Sequence, residues 1–208
     1  HWDKLFTPLL ESIAPKFHSG HMPMFVGLNR HDTYRLLTNN FGSTISSEEY
    51  NEHMDGIATQ VYTTECSLLP GFLDLIDSLN EYGYPIGVAS SSVLPSINMV
   101  LDRFDLRKYF RSVVSSDTVG GVGKPNPDIY LQAVAEIGSM PGQTVAIEDS
   151  AKGIQSAKQA GLCCVGLKNG YNVDQDLSSA DAVVSGLENI TVQKLKDYTY
   201  NFQQAGRR

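Results

Sequence analysis

Thr144-Val145-Ala146-Ile147-Glu148-Asp149-Ser150-Ala151-Lys152-Gly153-Ile154 is the stretch on which the fold turns. Its first four residues read as a short apolar strand. Two carboxylates follow, and then Ala151, Ile154 and Ala157 recur at helical spacing until Gly161. A second apolar run, Cys163 to Gly166, comes directly after that glycine. A strand that returns through a helix to another strand is the building unit of a parallel sheet.

The same alternation extends outward from this stretch. Upstream, Phe72, Leu75, Ile76 and Leu79 make a helix, and Pro85 to Ala89 makes a strand. A helix from about Pro95 to Phe104 follows, and then a strand from Ser112 to Ser115. Asn126 and Pro127 supply an N-cap and a first-turn proline for a helix carrying Ile129, Ala133, Val134 and Ile137. Downstream, Ala182 to Val184 is the last strand, and a helix from about Leu187 to Tyr198 closes the pattern. Before Pro70 only helices are legible. Trp2, Leu5, Leu9 and Ile13 mark one, Tyr34, Leu37 and Phe41 a short one ending at Gly42, and Tyr50, Met54, Ile57 and Val61 another. The expected architecture is α/β: a doubly wound parallel sheet over residues 69–208, with an N-terminal helical cap over residues 1–68.

The chain has 208 residues, 41% hydrophobic and 19% charged, enough for one substantial core with an accessory module. Its net charge is −7 with no basic cluster, which argues against nucleic acid as a partner. Cys66, Cys163 and Cys164 are an odd set without metal-ligand spacing, and the last two lie in an apolar run, so buried strand residues are expected rather than redox groups. No apolar run reaches transmembrane length and no signal pattern opens the chain. A cytoplasmic protein without a membrane partner, monomeric or weakly dimeric, is the expectation.

In open parallel sheets ligands gather outside the carboxyl ends of the strands. After the first strand comes Ser90-Ser91-Ser92, after the second Gly120 to Gly123 and Lys124-Pro125, and after the third Glu148-Asp149-Ser150. Hydroxyls, a cation and two carboxylates on one rim suit a phosphate with a divalent metal. Adjacent carboxylates repel unless a cation relieves them, and Mg²⁺ takes oxygen ligands while sharing a substrate phosphate. Lys124 can neutralise a phosphoryl oxygen and Ser90 can donate to another. Backbone N–H groups opening the next helix can add to these. Each piece alone has a plainer reading: the serines as a turn, the lysine as solvated, the acids as complements of a helix dipole. Their order at three successive strand ends is the stronger argument, and it speaks for a site.

Val88-Ala89-Ser90-Ser91-Ser92, Gly123-Lys124-Pro125-Asn126-Pro127-Asp128-Ile129-Tyr130 and Ile147 to Ile154 resemble the second, third and fourth motifs of the haloacid dehalogenase-like hydrolases. The branch that they resemble is that of β-phosphoglucomutase and the sugar-phosphate phosphatases. The resemblance implies that Ser90 binds the transferring phosphoryl group, with Ser91 and Ser92 beside it. It implies that Lys124 bridges that group and the nucleophile, and that Glu148 and Asp149 hold Mg²⁺, Asp149 more directly. Gly27 to Thr33 resembles the cap segment whose arginine contacts substrate, which assigns Arg30 to that role. A surface arginine on an amphipathic helix is the alternative.

The family's first motif is an apolar strand ending Asp-x-Asp-Gly, whose first aspartate attacks phosphorus and whose second serves as acid and base. No such motif occurs here; Asp102 and Asp105 lie at a helix end. His1-Trp2-Asp3-Lys4-Leu5 resembles the helix that comes after this motif, so His1 corresponds to a cap histidine near the substrate or is incidental. The resemblance therefore implies a central first strand absent from this chain. Roughly 15 to 25 further residues are expected at the front of the natural protein, and the chain alone is expected to be inactive and poorly stable.

The function expected from the resemblance is that of a Mg²⁺-dependent phosphatase acting on a small phosphorylated metabolite such as a sugar phosphate, through an aspartyl-phosphate. A phosphosugar mutase is the first alternative. The mutase pattern continues the second motif into Lys and Asn, where this chain has Val93 and Leu94. A non-catalytic phosphometabolite-binding module without a nucleophile is the second.

Overall fold

The computed structural model describes residues 2–206. Helices α1 (Trp2–Ile13), α2 (Arg30–Asn40) and α3 (Ser47–Gln60) form the first part. Asn29 caps α2, its Oδ1 accepting from the Asp32 N–H at 2.7 Å, and Ser46 caps α3 in the same way through Glu49. Their apolar faces meet in a cluster of Phe6, Leu10, Phe17, Phe25, Phe41 and Tyr50, drawn from this part of the chain alone. Phe17 stands edge-on to Phe25 and Phe41, with ring centroids 5.4 and 5.7 Å apart.

The chain leaves α3 through a π-helical turn, Val61–Glu65. Such a turn misaligns its carbonyls, and here a cation gathers them. Arg103 donates to the carbonyls of Tyr62 and Thr64 at 3.0 and 3.3 Å and to Cys66 Sγ at 3.3 Å. Arg103 ends α5 (Leu94–Arg103), so the exit of the helical part is tied to the α/β part.

From α4 (Phe72–Glu81) onward strands and helices alternate as the periodicity predicts. Strands β1 (Ile86–Ser90) and β2 (Phe110–Ser115) pair in parallel, as do β3 (Val145–Glu148), β4 (Cys163–Lys168) and β5 (Ala182–Ser185). Helices α6 (Asp128–Ile137), α7 (Ala151–Gln159) and α8 (Val192–Ala205) cover them. Cys163 and Cys164 are buried on β4, as expected of strand residues.

Two features depart from the expected pattern. The last helix begins at Val192 with Thr191 as its cap, and Leu187–Asn189 is a separate 3₁₀ turn. Pro127 stands at the N-cap of α6, and the Asn126 side chain instead donates back to the Gly123 carbonyl at 2.9 Å. The parallel strands form two sheets, β1-β2 and β3-β4-β5, and β1 does not pair with β3, in keeping with the expected sheet that lacks a central strand. Between the two sheets lies a cavity of about 1420 Å³. Val88 and Ile147 line it from the two facing edges, Leu75 and Ile97 from the helices. Each edge presents unpaired backbone donors and acceptors beside apolar side chains.

Candidate active site

Lys124 is the residue that spans the two sheets. Its ammonium donates to the Ala89 carbonyl on β1 at 3.1 Å and to Glu148 Oε1 at the end of β3. The pair is buried, with the two side chains 9% and 6% exposed. Because Lys124 bonds at the ends of both β1 and β3, Ser90, Glu148 and the loop carrying Lys124 converge on one rim.

Glu148 is fully engaged. Oε1 also accepts from the Tyr130 hydroxyl on α6, and Oε2 from Ser150 Oγ at 3.3 Å. Tyr130 is kept protonated: burial first, then the charge of Glu148, pushes its phenol well above the usual range. The carboxylate lies against α7 at Gly153, where an added Cβ would stand 1.9 Å from Oε2. Only glycine lets the helix pass this close.

Asp149 opens on to the cavity, and no salt bridge to it occurs among the described residues. The protein packed round it, then Glu148, raises its carboxyl above the ordinary range, while Lys124 and Asn169 pull the other way. A carboxylate that is uneasy when charged is suited to a cation. Among the described residues no three His, Cys, Asp or Glu side chains gather to hold a metal. The donors on offer are oxygens, those of Asp149 with the engaged Glu148 carboxylate beside it, a set that fits Mg²⁺ with much of its shell left to water and a phosphate.

The three serines line the same cavity. Ser90 Oγ accepts from the Ser92 N–H at 3.1 Å, which leaves its own hydrogen to donate outward. The Ser91 carbonyl is taken by Ser116 Oγ at 3.1 Å, and the Ser92 side chain lies beside Tyr62, which lines the same cavity. The first N–H of α7 is not aimed at this rim, since Ala151 donates to Gln175 Oε1 at 3.1 Å. That argues against the helix terminus as a phosphate donor.

The cap segment closes over the rim. Asn29, 2% exposed, donates to the Gly121 carbonyl of the glycine loop at 3.2 Å. Arg30 lines the cavity, but its guanidinium is bonded to Asp55 Oδ1 at 2.7 Å. His1 lies outside the described residues. The structure thus brings Ser90, Ser91, Ser92, Lys124, Glu148, Asp149 and Arg30 to one cavity.

Sequence reasoning assigns no part to Tyr62, Tyr130 or Asn29. Tyr130 sits within a quoted motif and Asn29 shows the N-cap signal of α2. Nothing local marks Tyr62, which reaches Ser92 only through the tertiary fold.

Over 125 residues the chain is 34% identical to the phosphoglycolate phosphatase of Escherichia coli K12, an overlap covering 59% of this chain and 49% of that protein. The chain spans about half the length of the curated relatives it matches. In fold it is similar to a β-phosphoglucomutase from Clostridium difficile, with TM-score 0.78, 20% identity and coverage of 97% and 90% of the two chains. It is also similar to CbbY from Rhodobacter sphaeroides, with TM-score 0.76, 22% identity and coverage of 90% and 88%. The family model described as haloacid dehalogenase-like hydrolase matches residues 3–167, and the chain belongs to that family.

Proposed function

We propose that this chain belongs to a Mg²⁺-dependent phosphatase for a small phosphorylated metabolite. The observation that carries the reading is the buried Lys124, held by Ala89 and Glu148 between two strand ends that also present Ser90 and Asp149. A fixed ammonium in a water-poor setting stabilises charge that develops on a transferring phosphoryl group. Ser90 donates to another phosphoryl oxygen. Asp149, with Glu148 adjacent, would hold Mg²⁺, which supplies neutralisation of the phosphate and of the carboxylate pair. The cap residues Asn29, Arg30 and Tyr62 close the rim, exclude water and meet the far end of the substrate. Phosphoglycolate, named by the relatives, and sugar phosphates are the substrate classes to try first.

The attacking carboxylate is not supplied by any described residue at this rim. The facing edges of β1 and β3 and the apolar walls between them suit an extended segment that ends in an aspartate beside Lys124. The chain alone is accordingly inactive in this reading.

A mutase is the second reading, and one observation weighs against it. The Leu94 N–H at the start of α5 donates to Asp117 Oδ2 at 3.1 Å. A carboxylate there discourages a second phosphate at the helix terminus.

The test is Mg²⁺-dependent phosphate release from p-nitrophenyl phosphate, 2-phosphoglycolate and β-glucose 1-phosphate. It compares the chain alone with the chain fused behind an apolar strand ending Asp-x-Asp-Gly. Release by the fusion only supports the phosphatase, and glucose 6-phosphate formation from the last substrate supports the mutase. A folded fusion that does neither leaves the non-catalytic binding module standing.

A further inference from the structure

The loop after β4 is fastened to the loop after β3 by its own amide side chains. Asn169 Nδ2 donates to Asp149 Oδ2 at 2.9 Å. Asn172 Nδ2 donates to the Asp149 carbonyl at 2.7 Å and to the Leu167 carbonyl at 2.8 Å. The two asparagines are interlocked, because Asn172 Oδ1 accepts from the Asn169 N–H at 3.1 Å. Asn169 Oδ1 in turn accepts from the Tyr171 N–H at 2.9 Å. Asn169 can therefore present only its N–H₂ to the carboxylate, so the orientation of its amide is decided.

Burial does not explain this loop. Tyr171 and Val173 stand 88% and 82% exposed between and beyond the two asparagines. Apolar tips in solvent bring no stability to the segment, so polar contacts fix its path. Two of those contacts reach outside the loop to Asp149, one at its main chain and one at its side chain.

We propose that Asn169 and Asn172 are positioning residues that hold the Asp149 carboxylate in the orientation in which it ligates a divalent cation. Asn172 fixes the main chain, and Asn169 fixes the side-chain rotamer through one oxygen. The donor is a neutral amide, which orients the carboxylate without cancelling the charge that a cation needs. A lysine or arginine at position 169 would compete with the metal instead. Partners of this kind orient the ligand and tune the affinity of a metal site. The proposal rests on the reading of Asp149 as a metal ligand, and its test separates the two.

The probe is Mn²⁺, titrated into the whole chain with the free ion followed by electron paramagnetic resonance. Wild type is expected to bind Mn²⁺ and Asp149→Asn to lose that binding. Asn169→Ala and the volume-conserving Asn169→Leu are expected to weaken binding about 10- to 100-fold, with melting temperatures near wild type. Wild-type affinity in folded Asn169 variants overturns the positioning role and leaves the metal reading intact. No Mn²⁺ binding by wild type, or unchanged binding by Asp149→Asn, overturns both.

Discussion

Lys124, on the loop beyond β2, and Glu148, the last residue of β3 in the other sheet, form an ion pair from which solvent is nearly excluded. Their charges could not be left there singly. Taking one charge out of water costs several kcal/mol unless its partner remains.

Lys124→Met should therefore leave Glu148 with hydroxyl partners only and destabilise the chain by about 3–5 kcal/mol. Lys124→Met combined with Glu148→Gln should recover much of that loss, because the buried charge is gone. Urea midpoints of the two variants check this, and equal losses would contradict the pairing.

Gly123 and Asn29 touch across the cap and the core. A Cβ on Gly123 would stand 2.2 Å from Asn29 Nδ2, so Gly123→Ala must push that side chain off Gly121. Asn29→Ala alone should cost about 1 kcal/mol through the lost N-cap. In a double-mutant cycle, Gly123→Ala should be milder in the Asn29→Ala background by about 0.5–3 kcal/mol. Strict additivity would mean that the cap does not rest on the glycine loop.

Two helical glycines should respond in opposite directions to the same change. At Gly56 in α3 a Cβ meets nothing within 4 Å, so Gly56→Ala should stabilise by about 0.5–1 kcal/mol. At Gly153 in α7 it would overlap the Glu148 carboxylate, and the strain, about 1–3 kcal/mol for overpacking, outweighs the helix gain. Thermal melts of both variants decide the matter.

Burial pushes the thiols up to about 11 at Cys163 and about 12 at Cys164. Both should stay neutral and unreactive in the folded chain, so a thiol reagent at pH 8 should label Cys66 alone until denaturant is added. In the unfolded chain these thiols ionise near 9.0, and in the folded chain only well above it. Between those limits the folded state holds more protons, so stability should fall as pH rises past 9. Urea midpoints at pH 8 and pH 10 check the direction, and Cys163→Ala or Cys164→Ala should flatten the decline.

The elements themselves are legible in local pattern. Helix spacing at Phe72, Leu75, Ile76 and Leu79, and the apolar runs at Ile86 and Val145, are near-neighbour properties of the chain. Periodicity alone starts the last helix too early, because Leu187 and Ile190 share helical spacing with the apolar residues of α8. Thr191 interrupts the run as a cap, its hydroxyl taking the Lys194 N–H. The Asn126 side chain found a carbonyl three residues back rather than the helix ahead, a choice between two nearby partners that composition does not rank.

By itself the sequence determined the order of strands and helices, the helical character of the first part, and the presence of serine, lysine and carboxylate groups just beyond successive strand ends. Those properties come from periodicity and from the rule that parallel strands end on one side. Only the tertiary structure decided that Lys124 would join Ala89 to Glu148, that Tyr130 would share the same oxygen, and that β1 and β3 would face each other across a cavity without pairing. Such contacts link residues far apart in the chain, and their energies come from burial and from the loss of water around charge. Neither is a property of any short stretch of residues.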